Sequence, residues 1–369
     1  MSNLLMLSGD TSVVRGERGP FYTTLAEFAP YWDSIDVLTP PVPGAAQIKL
    51  FGNVRLYPSP QSKLAQPFFI LKQGQALARQ RHYQLIVSHD YGFYLNGLGA
   101  AWLSRALAVP YVSEIHHIEG YPRAANWREK IQPRLAHWYV QWAKRRAKAF
   151  RIVNSGELKP LLLGWGVPEA QLLLLYSLYL DFEVFRPAPV EPVYTALFCG
   201  RLTPNKAPQL FLESLALARQ RLGPVRGIMV GRGPLASMLK ARAQELDLEV
   251  EFVEWIENQN DLADLYRHSK CLVCTSYSEG GPRVVAEALA CGLPVLTTRV
   301  GLARELVRDG ENGFQTDWTA ADIANRIGQL VTDESLRSKL SQAAPATVQR
   351  FEKSKIIREY ALGYQQLAK

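Results

Sequence analysis

The chain has 369 residues, 47% of them hydrophobic and 21% charged, which is enough for two domains that each bury a core. No stretch reaches the roughly 18 to 20 unbroken apolar residues of a membrane span, and Met1 to Leu7 runs into Ser8, Gly9 and Asp10 without a signal core, so a cytoplasmic protein is expected. The net charge of +8 is one-sided: residues 1–190 hold 20 Lys and Arg against 13 Asp and Glu, the remainder 22 against 21, so the first half favours an anionic surface or substrate.

Leu4 to Ser8 reads as a first strand, followed by a loop from Gly9 to Gly19 and a helix opening at Pro20. Apolar runs at Ile35–Leu38, Leu85–Ser88, Tyr111–Ile115 and Phe150–Asn154 alternate with helical patterns near Phe68–Arg81, Phe93–Ala108 and Arg128–Lys148. Such alternation predicts a parallel sheet covered on both faces, a Rossmann-like first domain over residues 1–187. In the 128–148 pattern, which Pro133 breaks or begins, Ile131, Leu135, Trp138 and Trp142 follow helical spacing beside Arg134, Lys144, Arg145, Arg146 and Lys148. Two readings stand level: the aromatic stripe packs into the domain, or it rests on an anionic membrane surface, peripheral to the inner face of the plasma membrane.

After the apolar run Leu172–Leu180 and Asp181, the prolines at 187, 189 and 192 mark a linker. A second Rossmann-like domain is expected over 188–350, with three similar units: Ala196–Gly200 with a helix from Pro208, Ile228–Gly231 with a helix from Pro234, and Cys271–Thr275 with a helix from Pro282. Ligands of open parallel sheets gather at the carboxyl ends of the strands, where these loops lie. Residues 351–369 read as a closing helix.

The third unit is the most informative. Gly280 and Gly281 loosen the chain, Pro282 suits the first helical position, and Gly292 with Pro294 stops the helix. Such a turn leaves free amides and a positive dipole end suited to phosphate, here through Arg283 and Val284, since Pro282 has no N–H. Glu279 and Glu287 bracket the loop and can bind hydroxyls, so phosphate flanked by hydroxyls describes a nucleotide sugar.

The stretch from Glu279 to Glu287, continuing into Ala288-Leu-Ala-Cys-Gly-Leu-Pro-Val295, resembles the Glu-seven-residues-Glu signature of the retaining GT-B glycosyltransferases of group 1, or family 4 type. Gly200-Arg-Leu-Thr-Pro-Asn-Lys206 resembles the same family's diphosphate loop, and Val230-Gly-Arg-Gly-Pro234 its glycine turn. The resemblance implies two Rossmann-like domains facing a cleft, a nucleotide-sugar donor held by the second and an acceptor by the first, with the terminal helix returning to the first domain. It assigns Arg201 and Lys206 to the diphosphate, Glu279 to the donor sugar, Glu287 to the ribose, and Gly231, Gly280 and Gly281 to the donor loops; Glu254 and Trp255 would edge the base. Val109-Pro-Tyr-Val-Ser-Glu-Ile-His-His117 resembles the family segment whose histidine lies beside the transferred sugar, with His116 favoured over His117. The family's paired glycines before the first long helix are replaced by Gly16 and Gly19.

The implied activity is metal-independent transfer from a UDP- or GDP-sugar to a hydroxyl of a cell-surface polysaccharide or lipid-linked saccharide. No Asp-x-Asp triplet occurs, and no cofactor is expected. Alternatives are an epimerase of the same fold and a catalytically silent sugar-nucleotide-binding subunit. A Rossmann oxidoreductase would need Gly-x-Gly-x-x-Gly after the first strand, which Gly9 to Gly19 does not provide. Nucleic acid is not expected as a partner, since no zinc-finger spacing, basic leucine-zipper pattern or RNA-binding signature occurs. The lone C-x-x-C of Cys271 and Cys274 would point its thiols to opposite faces of a strand, so all four cysteines, with Cys199 and Cys291, read as small thiols in a reducing compartment.

Overall fold

A computed structural model describes residues 2–368. The chain divides into two compact units. The first holds Met1–Ile118, Gln132–Ser177 and Ser354–Lys369; the second holds Glu119–Ile131 and Leu178–Lys353.

The first unit is built on eight strands: β1 (Asn3–Leu7), β2 (Ser34–Thr39), β3 (Ile48–Leu50), β4 (Val54–Pro58), β5 (Leu85–His89), β6 (Tyr111–Ile115), β7 (Ala149–Ile152) and β8 (Leu172–Leu174). Their order is β3-β4-β2-β1-β5-β6-β7-β8, parallel except for the β3–β4 pair. The central strands are largely apolar because helices cover both faces, and Leu4, Leu5, Ile35, Val37, Leu85, Ile86, Val112 and Ile115 are all buried. Helices Gln66–Ala78 and Leu95–Leu107 pack closely because Gly74 lies under Leu103 and Gly99 under Ile70. The last helix, Lys353–Leu367, presents Tyr360 and Tyr364 to β6 and β7, where both hydroxyls donate to Glu114.

The second unit has six parallel strands: β9 (Ala196–Cys199), β10 (Arg226–Val230), β11 (Glu249–Val253), β12 (Leu272–Cys274), β13 (Val295–Thr298) and β14 (Gly313–Thr316), in the order β11-β10-β9-β12-β13-β14. Its core includes Phe198, Phe211, Leu215, Met229, Leu296 and Ile327; each such side chain contributes roughly 1.5 to 3 kcal/mol of burial. Asn258, Thr319 and Asp333 cap helices with side-chain oxygens. The boundary at 187 places Glu119–Ile131 in the first domain, yet this segment belongs to the second unit. The Arg123 amide donates to the Tyr277 carbonyl at 3.2 Å, and its guanidinium lies over Tyr277 and Trp318 at 5.0 and 5.6 Å.

Several local expectations need correction. Helix Trp127–Ala143 runs through Pro133 rather than breaking there and stops before Lys144. It buries Ala136, Tyr139, Val140 and Ala143, so the aromatic stripe is not its packed face: Trp138 is 65% and Trp127 67% exposed, and Ile131 is exposed too. Pro282 is the N-cap, in extended conformation, and the helix begins at Arg283. The helix expected from Pro234 begins at Ala236.

Candidate active site

In the second unit, the loops after β9 and β10 interlock through glycine. Gly231 has φ +151°, and a Cβ there would lie 1.9 Å from the Gly200 carbonyl oxygen; one at Gly233 would lie 2.4 Å from that of Leu202. The Leu202 amide donates to the Arg232 carbonyl at 3.0 Å, and that of Leu235 to the Leu202 carbonyl at 3.1 Å. Any side chain would push these backbones apart. Arg201 leaves this junction exposed, while Lys206 ends a short turn, Pro204–Lys206, and is partly buried.

The loop after β12 is tied to the loop after β9. Tyr277 donates its amide to the Asn205 carbonyl at 2.8 Å, and Thr275 Oγ1 donates to the Lys206 carbonyl at 2.7 Å. Across this seam Lys206 Nζ pairs with Glu279 Oε1, which also accepts from Ser276 Oγ at 2.7 Å. Gly280 follows, its carbonyl accepting from the Leu302 amide at 2.9 Å. Gly301, at φ +46°, approaches so closely that a Cβ would lie 2.4 Å from that same oxygen. Gly281 and Pro282 lead into helix Arg283–Ala290, whose first turn presents the Arg283 and Val284 amides. The Arg283 guanidinium lies over the Tyr179 ring at 4.4 Å.

Glu287 lies within this helix and is buried, one oxygen accepting from Tyr266 at 2.9 Å. Burial raises its pKa above the ordinary carboxylate value, against the lowering pull of Arg283 and the Tyr266 hydrogen bond. Burial also raises the Cys199 thiol to about 12, so it stays neutral. The cysteines are all free thiols. Among the described residues no group of three His, Cys, Asp or Glu side chains is placed to hold a metal ion.

In the first unit, a buried polar cluster closes the carboxyl ends of β5 and β6. Arg151 Nη1 bonds Glu114 Oε1 at 2.5 Å and Tyr360 Oη at 2.9 Å, and its Nε donates to the Leu175 carbonyl at 3.0 Å. Burial alone would raise the Glu114 carboxyl, but Arg151, then His116 and His89, hold it down to about 2. His116 Nε2 lies 3.1 Å from Arg151 Nη1. A guanidinium can only donate, so this contact favours the tautomer with Nε2 bare and the ring proton on Nδ1. Burial and the neighbouring His89, whose ring centroid is 4.3 Å away, lower His116 well below its ordinary pKa, so the ring is a neutral donor. Asp90 is buried nearby with Ser88 and Tyr139 donating to it at 2.6 Å each and Ser113 as a third donor; burial pushes its carboxyl up to about 7.

The structure therefore brings Arg201, Lys206, Gly231, Glu279, Gly280, Gly281, Arg283, Val284 and Glu287 onto adjoining loops and one helix of the second unit. Glu254 is exposed just past β11, beside Trp255, which the Arg232 guanidinium overlies at 5.0 Å. His116, Gly16 and Gly19 belong to the first unit. Gly16 is left-handed, at φ +84°, and Gly19 is the N-cap of helix Pro20–Phe28, each with open space where a Cβ would stand. Sequence reasoning passed over Glu114, Arg151 and Asp90. A lone charge within an apolar strand, as in Ala149-Phe-Arg-Ile152, was the available signal for a buried pair.

Two largely parallel sheets, with glycine loops, a cation–carboxylate pair and a helix start at the second, are the architecture of the GT-B class. Residues 181–347 match the family "Glycosyl transferases group 1" and residues 31–176 the "Glycosyl transferase 4-like domain". The chain belongs to the GT-B glycosyltransferases. It is 34% identical over 294 residues to the D-inositol 3-phosphate glycosyltransferase of Rhodococcus opacus, covering 73% of this chain and 64% of that protein. Similarity to the enzyme of the same name from Nocardiopsis dassonvillei is 27% over 302 residues, 76% of this chain and 70% of the relative. Among solved structures, Thermosynechococcus elongatus sucrose-phosphate synthase superposes with a TM-score of 0.79 at 20% identity, covering 100% of this chain and 99% of that one. Anabaena HepE with UDP and glucose gives 0.76 at 21%, covering 99% and 100%.

Proposed function

We propose that the protein transfers a sugar, with retention and without a metal, from a UDP- or GDP-sugar to an acceptor hydroxyl of a cell-surface polysaccharide or lipid-linked saccharide. The observation that carries this reading is the Lys206–Glu279 pair held between the loops of β9 and β12, next to the first turn of helix Arg283–Ala290. The bond between the anomeric carbon and the phosphate oxygen breaks, and the diphosphate leaves with its electrons. Arg201, Lys206 and the Arg283 and Val284 amides oppose the charge that develops there, the usual large electrostatic contribution. The acceptor oxygen attacks from the face the diphosphate leaves, and its proton passes to a departing phosphate oxygen. Glu279 orients donor sugar hydroxyls and Glu287 the ribose. HepE has been solved with UDP and with UDP-glucose, which places UDP-sugars first among donors to test.

The test is release of nucleoside diphosphate from a panel of UDP- and GDP-sugars, with the anomeric configuration of the product read by NMR. Retention, with activity unchanged in EDTA, supports the reading; an inverted product or abolition by EDTA contradicts it. Donor turnover without any acceptor would instead indicate an epimerase.

The exposed Trp127, Ile131 and Trp138, beside exposed Arg128, Lys130 and Arg134, favour contact with anionic lipid on the cytoplasmic face of the plasma membrane. Among the described residues no helix is long and apolar enough to cross a membrane. Flotation with anionic but not neutral liposomes, lost in Trp138→Ser, is the expected result; equal flotation of both proteins would remove this surface from the account.

A further inference from the structure

The segment Glu119–Ile131 comes from the first half of the sequence yet belongs to the second unit, and residues 119–126 make a strap ahead of helix Trp127–Ala143. The strap closes on itself. Gly120 is left-handed at φ +75°, and a Cβ there would lie 2.2 Å from the Glu129 carbonyl oxygen. The Glu129 carboxylate accepts from the Ala125 amide at 2.8 Å and from Asn126 Nδ2 at 3.0 Å, while the Glu129 amide donates to Asn126 Oδ1 at 3.1 Å. A loop tied at its base in this way carries its side chains to set positions.

Two of those side chains reach the loops assigned to the donor. Burial raises the Glu119 carboxyl, Glu129 adds to the rise and Arg201 opposes it, so Glu119 lies within electrostatic reach of Arg201. Arg123 donates its amide to the Tyr277 carbonyl at 3.2 Å, and its guanidinium overlies the Tyr277 and Trp318 rings at 5.0 and 5.6 Å. Trp318 in turn donates Nε1–H to the Ser276 carbonyl at 2.9 Å, which Thr298 Oγ1 also reaches at 2.6 Å. Ser276 Oγ donates to Glu279 Oε1 at 2.7 Å. Contacts therefore run without a break from the strap to the carboxylate. Gly280 and Gly281 follow Glu279 directly and add no side chain to stiffen the turn, so the residues before it carry much of the task of aiming it.

We infer that Arg123 and Trp318 are positioning residues for the donor: they hold the turn at Ser276 and Tyr277 so that the Glu279 carboxylate meets hydroxyls of the donor sugar. The inference rests on the assignment of Glu279 to that sugar made above. Because both residues act through Glu279, they bear on the sugar and leave the nucleoside diphosphate to its own contacts.

The experiment measures binding by calorimetry on the whole protein, with UDP-glucose, UDP-N-acetylglucosamine and GDP-mannose as probes that carry a sugar, and UDP and GDP as probes that do not. Arg123→Leu takes the cation off both rings. Trp318→Phe keeps a ring beneath Arg123 and deletes only the bond to the Ser276 carbonyl. Each should weaken the sugar donor that the wild type binds by about fivefold, the worth of one neutral hydrogen bond. Binding of the matching free diphosphate and the thermal midpoint should stay as in the wild type, which a merely structural loss would not allow. In a Glu279→Ala background neither substitution should have any further effect, because the group they act through is gone. Equal weakening of sugar donor and free diphosphate, no effect on either, or full additivity with Glu279→Ala would overturn the inference. If Glu279→Ala weakens the donor and the other two variants do not, only the positioning roles fail; if no probe binds the wild type, or Glu279→Ala binds the donor as the wild type does, the assignment of Glu279 fails and the inference with it.

Discussion

Arg151→Met removes the cation from the most heavily bonded buried cluster of the first unit. Arg151 is 1% exposed, ion-paired to Glu114 at 2.5 Å, bonded to the Leu175 carbonyl and to Tyr360, and packed over the Tyr360 ring at 3.7 Å. Deleting one partner of a buried pair costs about 3 to 5 kcal/mol, since the other is left uncompensated. The Glu114 carboxyl gives an independent figure: a fall from 4.5 to about 2 corresponds to about 3 kcal/mol. Because the folded pKa is depressed, that stability is present above about pH 4.5 and lost as pH falls through about 2. Thermal unfolding of the variant at pH 7 should fall by about 10 °C, with early hydrogen exchange in helix Lys353–Leu367. Its stability should no longer decline between pH 4.5 and 2 as the wild type does. Adding Glu114→Gln should cost less than the sum of the single substitutions. A loss under about 1 kcal/mol, or an unchanged acid limb, would refute the view that this pair anchors the terminal helix.

Asp90 gives the opposite sign. Its folded pKa of about 7 lies above the ordinary 3.8, so its stabilising contribution is full below about pH 4 and lost as pH rises through 7, a span of about 4 kcal/mol at most; Asp90→Asn should flatten the urea midpoint between pH 5 and 8, and a wild-type midpoint already flat there would contradict the assignment. Gly231→Ala must move the Gly200 carbonyl out of a 1.9 Å overlap, so a loss of about 3 kcal/mol or more in the second unit and weakened donor binding are expected. Lys206→Ala should lower kcat by about 100-fold or more at little cost in stability, as for loss of one preorganised charge; turnover near wild type would take it out of the mechanism.

Much of the fold was legible because parallel strands buried on both faces leave largely apolar runs: Tyr111–Ile115 and Leu85–His89 could be read almost residue by residue. The hairpin of β3 and β4 was not, since Ile48–Leu50 is only three residues long and none of the three is buried, too short for its alternation to stand out. The Trp127–Ala143 helix offers two faces with helical spacing, and the conspicuous tryptophans mark the one that does not pack, while Ala136, Tyr139, Val140 and Ala143 are buried. On the site side, Lys206 and Glu279 were found through local motifs, but their pairing, 73 residues apart in sequence, is a property of strand order. The same holds for Glu114, whose partners Arg151 and Tyr360 lie 37 and 246 residues away.

Calorimetric titration with UDP- and GDP-sugars, repeated on Glu279→Ala, tests the central claim most directly. The account predicts saturable binding of one donor by the wild-type protein and at least tenfold weaker binding by the variant, with its fold intact by circular dichroism. Binding of equal strength to both proteins, or no binding of any donor to the wild type, would contradict the assignment of the Lys206–Glu279 loops as the donor site.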